Sequence, residues 1–198
     1  MHLETDPNKV KPINLGYHFT KDGSPIPPVG KWLEHTGDVV LCGAGVLFSR
    51  DPFDVLSYAP GNLLHLVEGD DIVEEDESKG VCRRRKIVAS INAENLLREC
   101  ARKWALDVID KWDAPDVVVK WLKTGDESLR SAAYSAADSA TASAADSATA
   151  SAAYSAAYSA ADSAAYSAAF SAAYSAARES QRKHFAEKVN EAFKGEQQ

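Results

Sequence analysis

The sequence has few of the residue types that build disulfide-bonded, metal-binding or membrane-spanning proteins. Its 198 residues include only three cysteines, Cys42, Cys82 and Cys100, which are widely spaced and form no CxxC pair. This odd number predicts free, buried thiols in a reducing compartment, by default the cytoplasm. The first eleven residues are too polar for a signal peptide. A net charge of −7 argues against a general nucleic-acid binder.

Motifs of known catalytic or cofactor chemistry are also missing. His18, His35 and His65 have no close ligand spacing with one another or with the cysteines, so no metal site is expected. No GxSxG motif occurs. Gly43 and Gly45 lack the third glycine and the lysine of a phosphate-binding loop. From motifs alone, we therefore assign no catalytic residue, cofactor or metal ligand.

Glycine and proline are absent between Asp126 and Phe193, so nothing in this stretch breaks a helix. Within it, residues 131–178 form twelve consecutive four-residue units, most of them Ser-Ala-Ala-X. Because alanine is the strongest helix former, the repeat is predicted to be one long α-helix of roughly 70 Å.

A period of four does not match the 3.6 residues of a helical turn, so each stripe of equivalent side chains drifts by about 40° per unit. The helix has no fixed apolar face, and a simple coiled coil along its full length is not expected. Ser and Ala on every side favour contacts on several sides, as in a helical bundle or a polymer of identical helices. The predicted helix–helix contact residues are aromatic: Tyr134, Tyr154, Tyr158, Tyr166, Phe170, Tyr174, Phe185 and Phe193.

Other interpretations of the repeat stay open. It could be a solvated spacer, or a specialised surface such as an ice-binding helix, although Thr141 and Thr149 do not lie in line. A membrane span is disfavoured, because Ser recurs in every unit and three Asp interrupt the run.

The first 125 residues are long enough to bury a core of their own. Short apolar runs separated by turn residues predict an α+β domain: a small, twisted antiparallel or mixed sheet covered by helices and followed by one long Ala/Ser-rich helix. Strands are predicted at residues 13–20, 39–42, 46–49, 63–68, 72–74 and 81–90. Asp51 and Pro52 predict a short helix with Phe53 and Leu56 on its buried side.

The last predicted strand contains four basic residues, at positions 83–86. Such a run can bind phosphate or nucleic acid, but charged runs usually face solvent, and acidic residues precede it closely, across the predicted hairpin. We expect a solvated strand whose charge is neutralised by Glu74, Glu75, Asp76 and Glu77.

Two amphipathic helices are predicted before the repeat. The first spans residues 93–112 with Asn92 as its N-cap, and the second starts after Pro115. Thr124 and Glu127 match a capping box at the start of the long helix.

The segment after the repeat has the residue pattern of an ordinary amphipathic helix. Phe185, Val189 and Phe193 fall on one side of the helix, at a spacing of four residues. This pattern predicts a docking or oligomer-locking segment at the end of the long helix.

The stretch from Gly30 to Asp126 resembles an uncharacterised family from bacteria and phages, whose members pair a small α+β domain with an alanine-rich, short-period helical tail. Five blocks carry the resemblance: Gly43 to Pro52, Tyr58 to Asn62, Cys100 to Val108, Trp112 to Val118 and Thr124 to Arg130. The family has no established activity, so the resemblance implies an architecture and no catalytic residue.

A shorter pattern, residues 45–49 and the helix after them, is similar to the second motif of ADP-ribosyltransferases. In that family, a strand ending near Ser precedes a helix beside an NAD-binding cleft. The resemblance implies that Tyr17 and His18 lie on a first strand and that Glu68 or Glu74 supplies an acid. A strand, turn and helix made of core residues explains the same pattern without any activity.

These features favour an α+β head over residues 1–125 and a helical tail over residues 126–198. We expect a non-enzymatic self-assembly or scaffolding protein that forms a homo-oligomer through the repeat helix. The head would be a binding or capping module with a protein partner, and no nucleic acid, membrane, cofactor or metal is expected to bind. The alternative is an intracellular enzyme or effector with an NAD-like nucleotide cleft in the head, similar to ADP-ribosyltransferases, whose tail serves only for oligomerisation.

Overall fold

The computed structural model of the protein describes residues 14–107, 109–111, 113–137, 139 and 163–195, with the backbone alone at 111 and 163–176. The chain divides into two compact units. Unit 1 is assigned to Met1–Glu94 together with Phe185–Gln198, and unit 2 to Asn95–His184. This division does not test the head and tail boundary between residues 125 and 126, which stays a prediction.

Unit 1 is built on an antiparallel sheet of five strands. The strands are β1 (Leu15–Thr20), β2 (Trp32–Glu34), β3 (Val46–Phe48), β4 (Leu63–Glu75) and β5 (Gly80–Asn92). Their order is β1-β4-β5-β2, and β3 also pairs with β5. This is possible because β5 is long: it pairs with β3 at residues 80–82 and with β2 at residues 84–86. The predicted α+β fold with a small antiparallel sheet is confirmed.

One additional bridge closes part of the sheet into a ring. Ser49, directly after β3, pairs with Tyr17 of β1. The Tyr17 N–H donates to the Ser49 carbonyl at 2.7 Å, and the Ser49 N–H donates to the Tyr17 carbonyl at 3.0 Å. β1, β4, β5 and β3 therefore follow one another around a small barrel, and closure of this kind removes exposed strand edges.

Phe48 fills the middle of this ring. Together with Val67, Cys82 and Ile87 it forms a cluster of buried apolar side chains. Glycine on the neighbouring strands makes room for the Phe48 phenyl group. A Cβ at Gly16 would lie 2.7 Å from Phe48 Cδ2, closer than real Cβ atoms approach. The space that a side chain at Gly16 would need is thus occupied by Phe48.

The strand predictions differ from the structure in three places. Residues 39–42 form no strand: Val40 makes only an isolated bridge to Ala44, and Cys42 turns the chain with a φ of 63°. The strands predicted at 63–68 and 72–74 are one strand, β4. β2 is not predicted by the sequence, because three residues are too few to show an alternating pattern.

The segment after β3 contains a short 3-10 helix, Asp54–Tyr58. Asp51 is not its N-cap, contrary to the prediction: Phe53 holds that position without a side-chain capping bond. Asp51 Oδ1 instead accepts a hydrogen bond from the Phe53 N–H at 2.7 Å, before the helix starts. The prediction of its buried side is wrong. Val55 is the buried residue, 3% exposed, whereas Phe53 and Leu56 are only partly buried.

The described part of unit 2 is helical. Helix α1 spans Glu94–Leu106, of which Glu94 belongs to unit 1, and ends earlier than predicted. Helix α2 spans Asp116–Thr124, and residues 130–137 form helix α3. The core of this unit is built around Val118, Leu122 and Ala133.

The predicted capping box at Thr124 and Glu127 is wrong. The Thr124 hydroxyl donates to the Lys120 carbonyl at 2.8 Å inside α2, and Gly125 ends that helix in a left-handed conformation with φ 66°. Asp126 is the cap of the 3-10 turn Glu127–Leu129: its Oδ1 accepts from the Ser128 N–H at 2.9 Å.

Helix α4 is described over Ser163–Gly195, from inside the repeat without interruption into the amphipathic end of the chain. In unit 1 this end packs on the head: Phe185 and Val189 are 0% exposed and Phe193 is 5% exposed. The predicted docking segment therefore docks on its own chain. The predicted long helix starts at residue 130 rather than 126, after the 3-10 turn. Because residues 138 and 140–162 lie outside the described residues, its continuity from there to residue 193 stays a prediction.

Candidate functional site

Tyr17 and His18 lie beside Ser49, the last residue of the ADP-ribosyltransferase-like pattern, where β1 meets the end of β3. The bridge between Tyr17 and Ser49 holds the two chain segments side by side, and His18 follows Tyr17 in β1. Because successive residues of a strand point to opposite faces, the side chains of Tyr17 and His18 have different surroundings.

Tyr17 faces helix α4. Its hydroxyl donates to Asn190 Oδ1 at 3.2 Å, and its ring centre lies 6.3 Å from that of Phe193. Burial, with a smaller contribution from the Asp51 carboxylate, raises the pKa of Tyr17. The role that this geometry gives Tyr17 is to anchor the C-terminal helix.

His18 and Ser49 line a cavity of about 320 Å³, which we call the Ser49 cavity. Its lining also includes Cys42, Leu47, Phe48, Val55, Tyr58 and Lys79. The Lys79 ammonium donates to the Tyr58 hydroxyl at 3.3 Å. A mostly apolar cavity of this size with a few polar groups is the usual form of a small-molecule site.

His18 stacks on His65 of β4, with ring centres 6.5 Å apart and an angle of 24° between the ring planes. Burial, followed by the positive charge of Arg85, lowers the pKa of His18 to about 3 and that of His65 to about 4. Both imidazoles are therefore neutral near pH 7. His65 is held between two hydroxyls, with Nε2 at 2.9 Å from Thr20 Oγ1 and Nδ1 at 2.7 Å from Ser90 Oγ.

Arg85 is the residue that the sequence analysis missed. It lies on the barrel side of β5, opposite Gly69, and is only 8% exposed. Its Nη1 donates to the Leu47 carbonyl, and burial lowers its pKa to about 10. With His18 and His65 it lines a second cavity of about 150 Å³, which we call the Arg85 cavity.

The other three basic residues of the run lie on the surface and form ion pairs. Arg84 pairs with Asp70, and Lys86 Nζ lies 2.7 Å from Glu68 Oε2. Arg83 Nε lies 3.1 Å from Asp71 Oδ2.

The expected neutralisation by residues 74–77 is wrong. The antiparallel register places residues 84–86 opposite 68–70, four or more residues before that acidic group. Among the predicted acids, Glu75 pairs with a different cation, Arg50, at 2.7 Å.

Neither acid proposed for a nucleotide cleft lies beside His18 and Ser49. Glu68 is paired with Lys86, and Glu74 lies opposite Val81 near the hairpin turn. Neither residue lines the Ser49 cavity or the Arg85 cavity. The structure thus brings His18 and Ser49 together, but neither of the two glutamates expected to complete an ADP-ribosyltransferase-like site joins them.

Three of the predicted helix–helix contact residues have described side chains. Tyr134, on α3, is 76% exposed. Phe185 packs against Phe53, with ring centres 6.3 Å apart and the planes at 70°, and Phe193 packs against Tyr17. The remaining members of that set lie outside the described side chains: Tyr154, Tyr158, Tyr166, Phe170 and Tyr174.

None of the three cysteines forms a disulfide bond. Cys82 and Cys100 are buried as expected, but Cys42 is exposed, because it sits in the turn that replaces the predicted strand at 39–42. Within the described ranges, no three His, Cys, Asp or Glu side chains gather closely enough to hold a metal ion. In the same ranges, no helix combines the length and the apolar character needed to cross a membrane.

Comparison with known proteins finds one family. Residues 13–99 match the family described as Domain of unknown function (DUF7666). This confirms the expected resemblance to an uncharacterised family, over a stretch that contains the first two of the five resembling blocks and ends before the other three. No curated protein and no solved structure matches the chain.

Proposed function

We propose that this protein is a self-assembling scaffold that forms homo-oligomers through its repeat helix, with the head as a binding or capping module. The observation that supports this most is the continuity of α4, which runs from Ser163 inside the repeat to Gly195 on the head. The last four units of the repeat therefore share one helix with the apolar segment that packs in unit 1.

The attachment rests on three apolar side chains at a spacing of four residues: Phe185, Val189 and Phe193. Burial of side chains of this size stabilises by roughly 1.5–3 kcal/mol each. The apolar side of the C-terminal end of α4 is already buried within its own chain. We therefore expect contacts between copies to be made by the repeat. Its twelve similar units offer no unique site but a uniform surface of small side chains and aromatics.

The test compares the mass of three forms of the full-length protein by light scattering. The first is the natural sequence. In the second, five repeat aromatics are changed to serine: Tyr154, Tyr158, Tyr166, Phe170 and Tyr174. In the matched control, the four tyrosines of that set are changed to phenylalanine.

We expect the serine variant to be smaller than the natural protein and the phenylalanine control to keep its size, because the contacts depend on aromatic area. Circular dichroism checks that the head stays folded. A serine variant of unchanged size would contradict assembly through these aromatics.

A second candidate function is supported by the Ser49 cavity. Under this second proposal, the head is an enzyme or effector domain that binds an NAD-like nucleotide in the Ser49 cavity, and the tail serves only for oligomerisation. Without Glu68 or Glu74 nearby, an acid would have to come from elsewhere. Calorimetric titration of the full-length protein with NAD tests this candidate, and absence of binding would remove its main support.

We also propose the cytoplasm as the compartment. The support comes from the cysteines, since none of the three forms a disulfide bond and the Cys42 thiol is exposed. Exposed free thiols are typical of a reducing compartment.

A further inference from the structure

Arg85 carries a positive charge into the interior of unit 1 without a counter-ion from the described part of the protein. Its side chain is 8% exposed, and its one hydrogen bond runs from Nη1 to the Leu47 carbonyl. No described carboxylate pairs with it, in contrast to the neighbouring Arg83, Arg84 and Lys86. A buried charge is costly unless an opposite charge and further hydrogen bonds compensate it.

The groups around Arg85 are neutral. His18 and His65 are kept in the uncharged form by burial and by Arg85 itself. Both ring nitrogens of His65 are occupied by Thr20 and Ser90, whereas the His18 ring has no hydrogen-bond partner among the described residues. A guanidinium with unused N–H donors and an unpartnered imidazole therefore face the same space.

That space is the Arg85 cavity, of about 150 Å³. It corresponds to about five water molecules at roughly 30 Å³ each, which is enough for a small oxyanion and too little for a nucleotide. The rest of the lining consists of Thr20, Ile87 and apolar side chains of the loop after β1 and of β2, including Pro27 and Leu33. Such walls lower the local dielectric, which strengthens the attraction between a guanidinium and an anion.

We propose that the Arg85 cavity binds a small oxyanion, a phosphate or a carboxylate, which pairs with the Arg85 guanidinium and receives a hydrogen bond from His18. The planar guanidinium fork matches two oxygens of either anion. This site lies in the head and is independent of assembly through the repeat, so either proposal can fail alone.

The test measures binding of inorganic phosphate and of acetate to the full-length protein by calorimetry and by thermal melting. Sodium chloride keeps the ionic strength constant, which removes non-specific screening effects. We expect saturable binding of at least one of the two anions at one site per chain, together with a rise in the melting temperature. Phosphate binding without acetate binding would assign the site to phosphate, and the reverse result would assign it to a carboxylate.

Two variants locate the site. Arg85→Gln removes the buried charge and should weaken binding by at least about tenfold, a change of about 1.4 kcal/mol. The matched control Arg84→Gln removes a surface charge one residue away, already paired with Asp70, and should bind like the natural protein. If Arg85→Gln does not fold, Arg85→Lys replaces it, since lysine keeps the charge but lacks the fork. The proposal is overturned if neither anion binds saturably, or if binding survives the Arg85 substitution.

Discussion

The interior of the barrel holds an unusual combination of single residues: a cation and two neutral histidines. Arg85 contributes to this state directly, because its charge adds to burial in lowering the pKa of His18 and His65. The histidines therefore remain uncharged in the folded protein over a pH range in which they take up protons in the unfolded chain.

The pH dependence of stability follows from this difference. The folded pKa values of about 3 and about 4 lie below the ordinary value of 6.5, so the unfolded state binds more protons as the pH falls below about 6.5. The contribution of each histidine is complete above that pH and decreases towards pH 4, by up to about 1.4 kcal/mol per pH unit.

Urea unfolding at a series of pH values measures this effect. We expect the free energy of unfolding to fall between about pH 6.5 and pH 5, a range in which most carboxylates do not titrate. The His18→Gln variant should show a shallower fall. A free energy that is flat or rises as the pH decreases through this range would refute the assigned protonation states.

The close approach of Phe48 to β1 gives a second prediction for a single residue. Gly16→Ala would place a Cβ 2.7 Å from Phe48 Cδ2 and 2.8 Å from the Ser49 carbonyl oxygen. We expect a loss of roughly 1–3 kcal/mol of stability, as is usual for overpacking. Gly195→Ala is the control, because nothing lies within 4 Å of its added methyl group. Equal stability of both variants in urea unfolding would contradict the close packing of Phe48 against Gly16.

At the scale of elements, the docking of α4 on the head is the contact most open to test. Phe185→Ala removes a ring that is 0% exposed and packs against Phe53. Such a truncation costs about 3–5 kcal/mol in a well-packed core. We expect faster hydrogen exchange at residues 181–195 in this variant, while Glu187→Ala, an exposed position on the same helix, should leave exchange unchanged. Unchanged protection in Phe185→Ala would mean that the contact does not hold the helix.

The start of the helical region before the repeat offers another test. Asp126→Ala removes the side chain that caps the Glu127–Leu129 turn and should cost about 0.5–2 kcal/mol. Glu127→Ala removes only exposed ion pairs to Arg98 and Arg130, which are worth little. A larger thermal destabilisation for Glu127→Ala than for Asp126→Ala would support the predicted capping box and contradict the capping role of Asp126.

Elements with a repeating pattern could be predicted from the sequence, and those without one could not. β1, β5 and α2 follow from alternation, from three- and four-residue spacing, and from Pro115. β2 is too short to show a period. The run at residues 83–86 shows four like charges, and only its pairing with β4 reveals that Arg85 points inward while Arg84 and Lys86 point outward. The strand period of two shows that Arg85 faces the opposite side from Arg84 and Lys86, but only the position of the core shows which side is buried.

At the scale of the whole molecule, closure of the sheet and the return of α4 to the head are the features that sequence reasoning leaves open. Both depend on contacts between distant residues, such as Tyr17 with Ser49 and Tyr17 with Asn190. The amphipathic pattern at Phe185, Val189 and Phe193 predicts that this segment docks, but not on which surface. The same holds for the candidate site. A sequence motif predicts that His18 and Ser49 lie near each other, but no motif predicts that Arg85 joins them.

The docked helix also determines how assembly should be tested. A protein truncated after Arg130 would lose α4 along with the repeat, and would expose the apolar surface that Phe185 and Phe193 cover on the head. Exposed apolar surface can itself cause association. The full-length chain is therefore the form to measure.

The most direct test is the mass in solution of the natural full-length protein, measured by light scattering over a range of concentrations. Each chain has a mass of 21.3 kDa. Assembly through the repeat predicts a particle of several chains, or a broad distribution of larger particles whose mass increases with concentration. A mass of one chain at every concentration would contradict the scaffold proposal and leave the repeat as a spacer within a monomer.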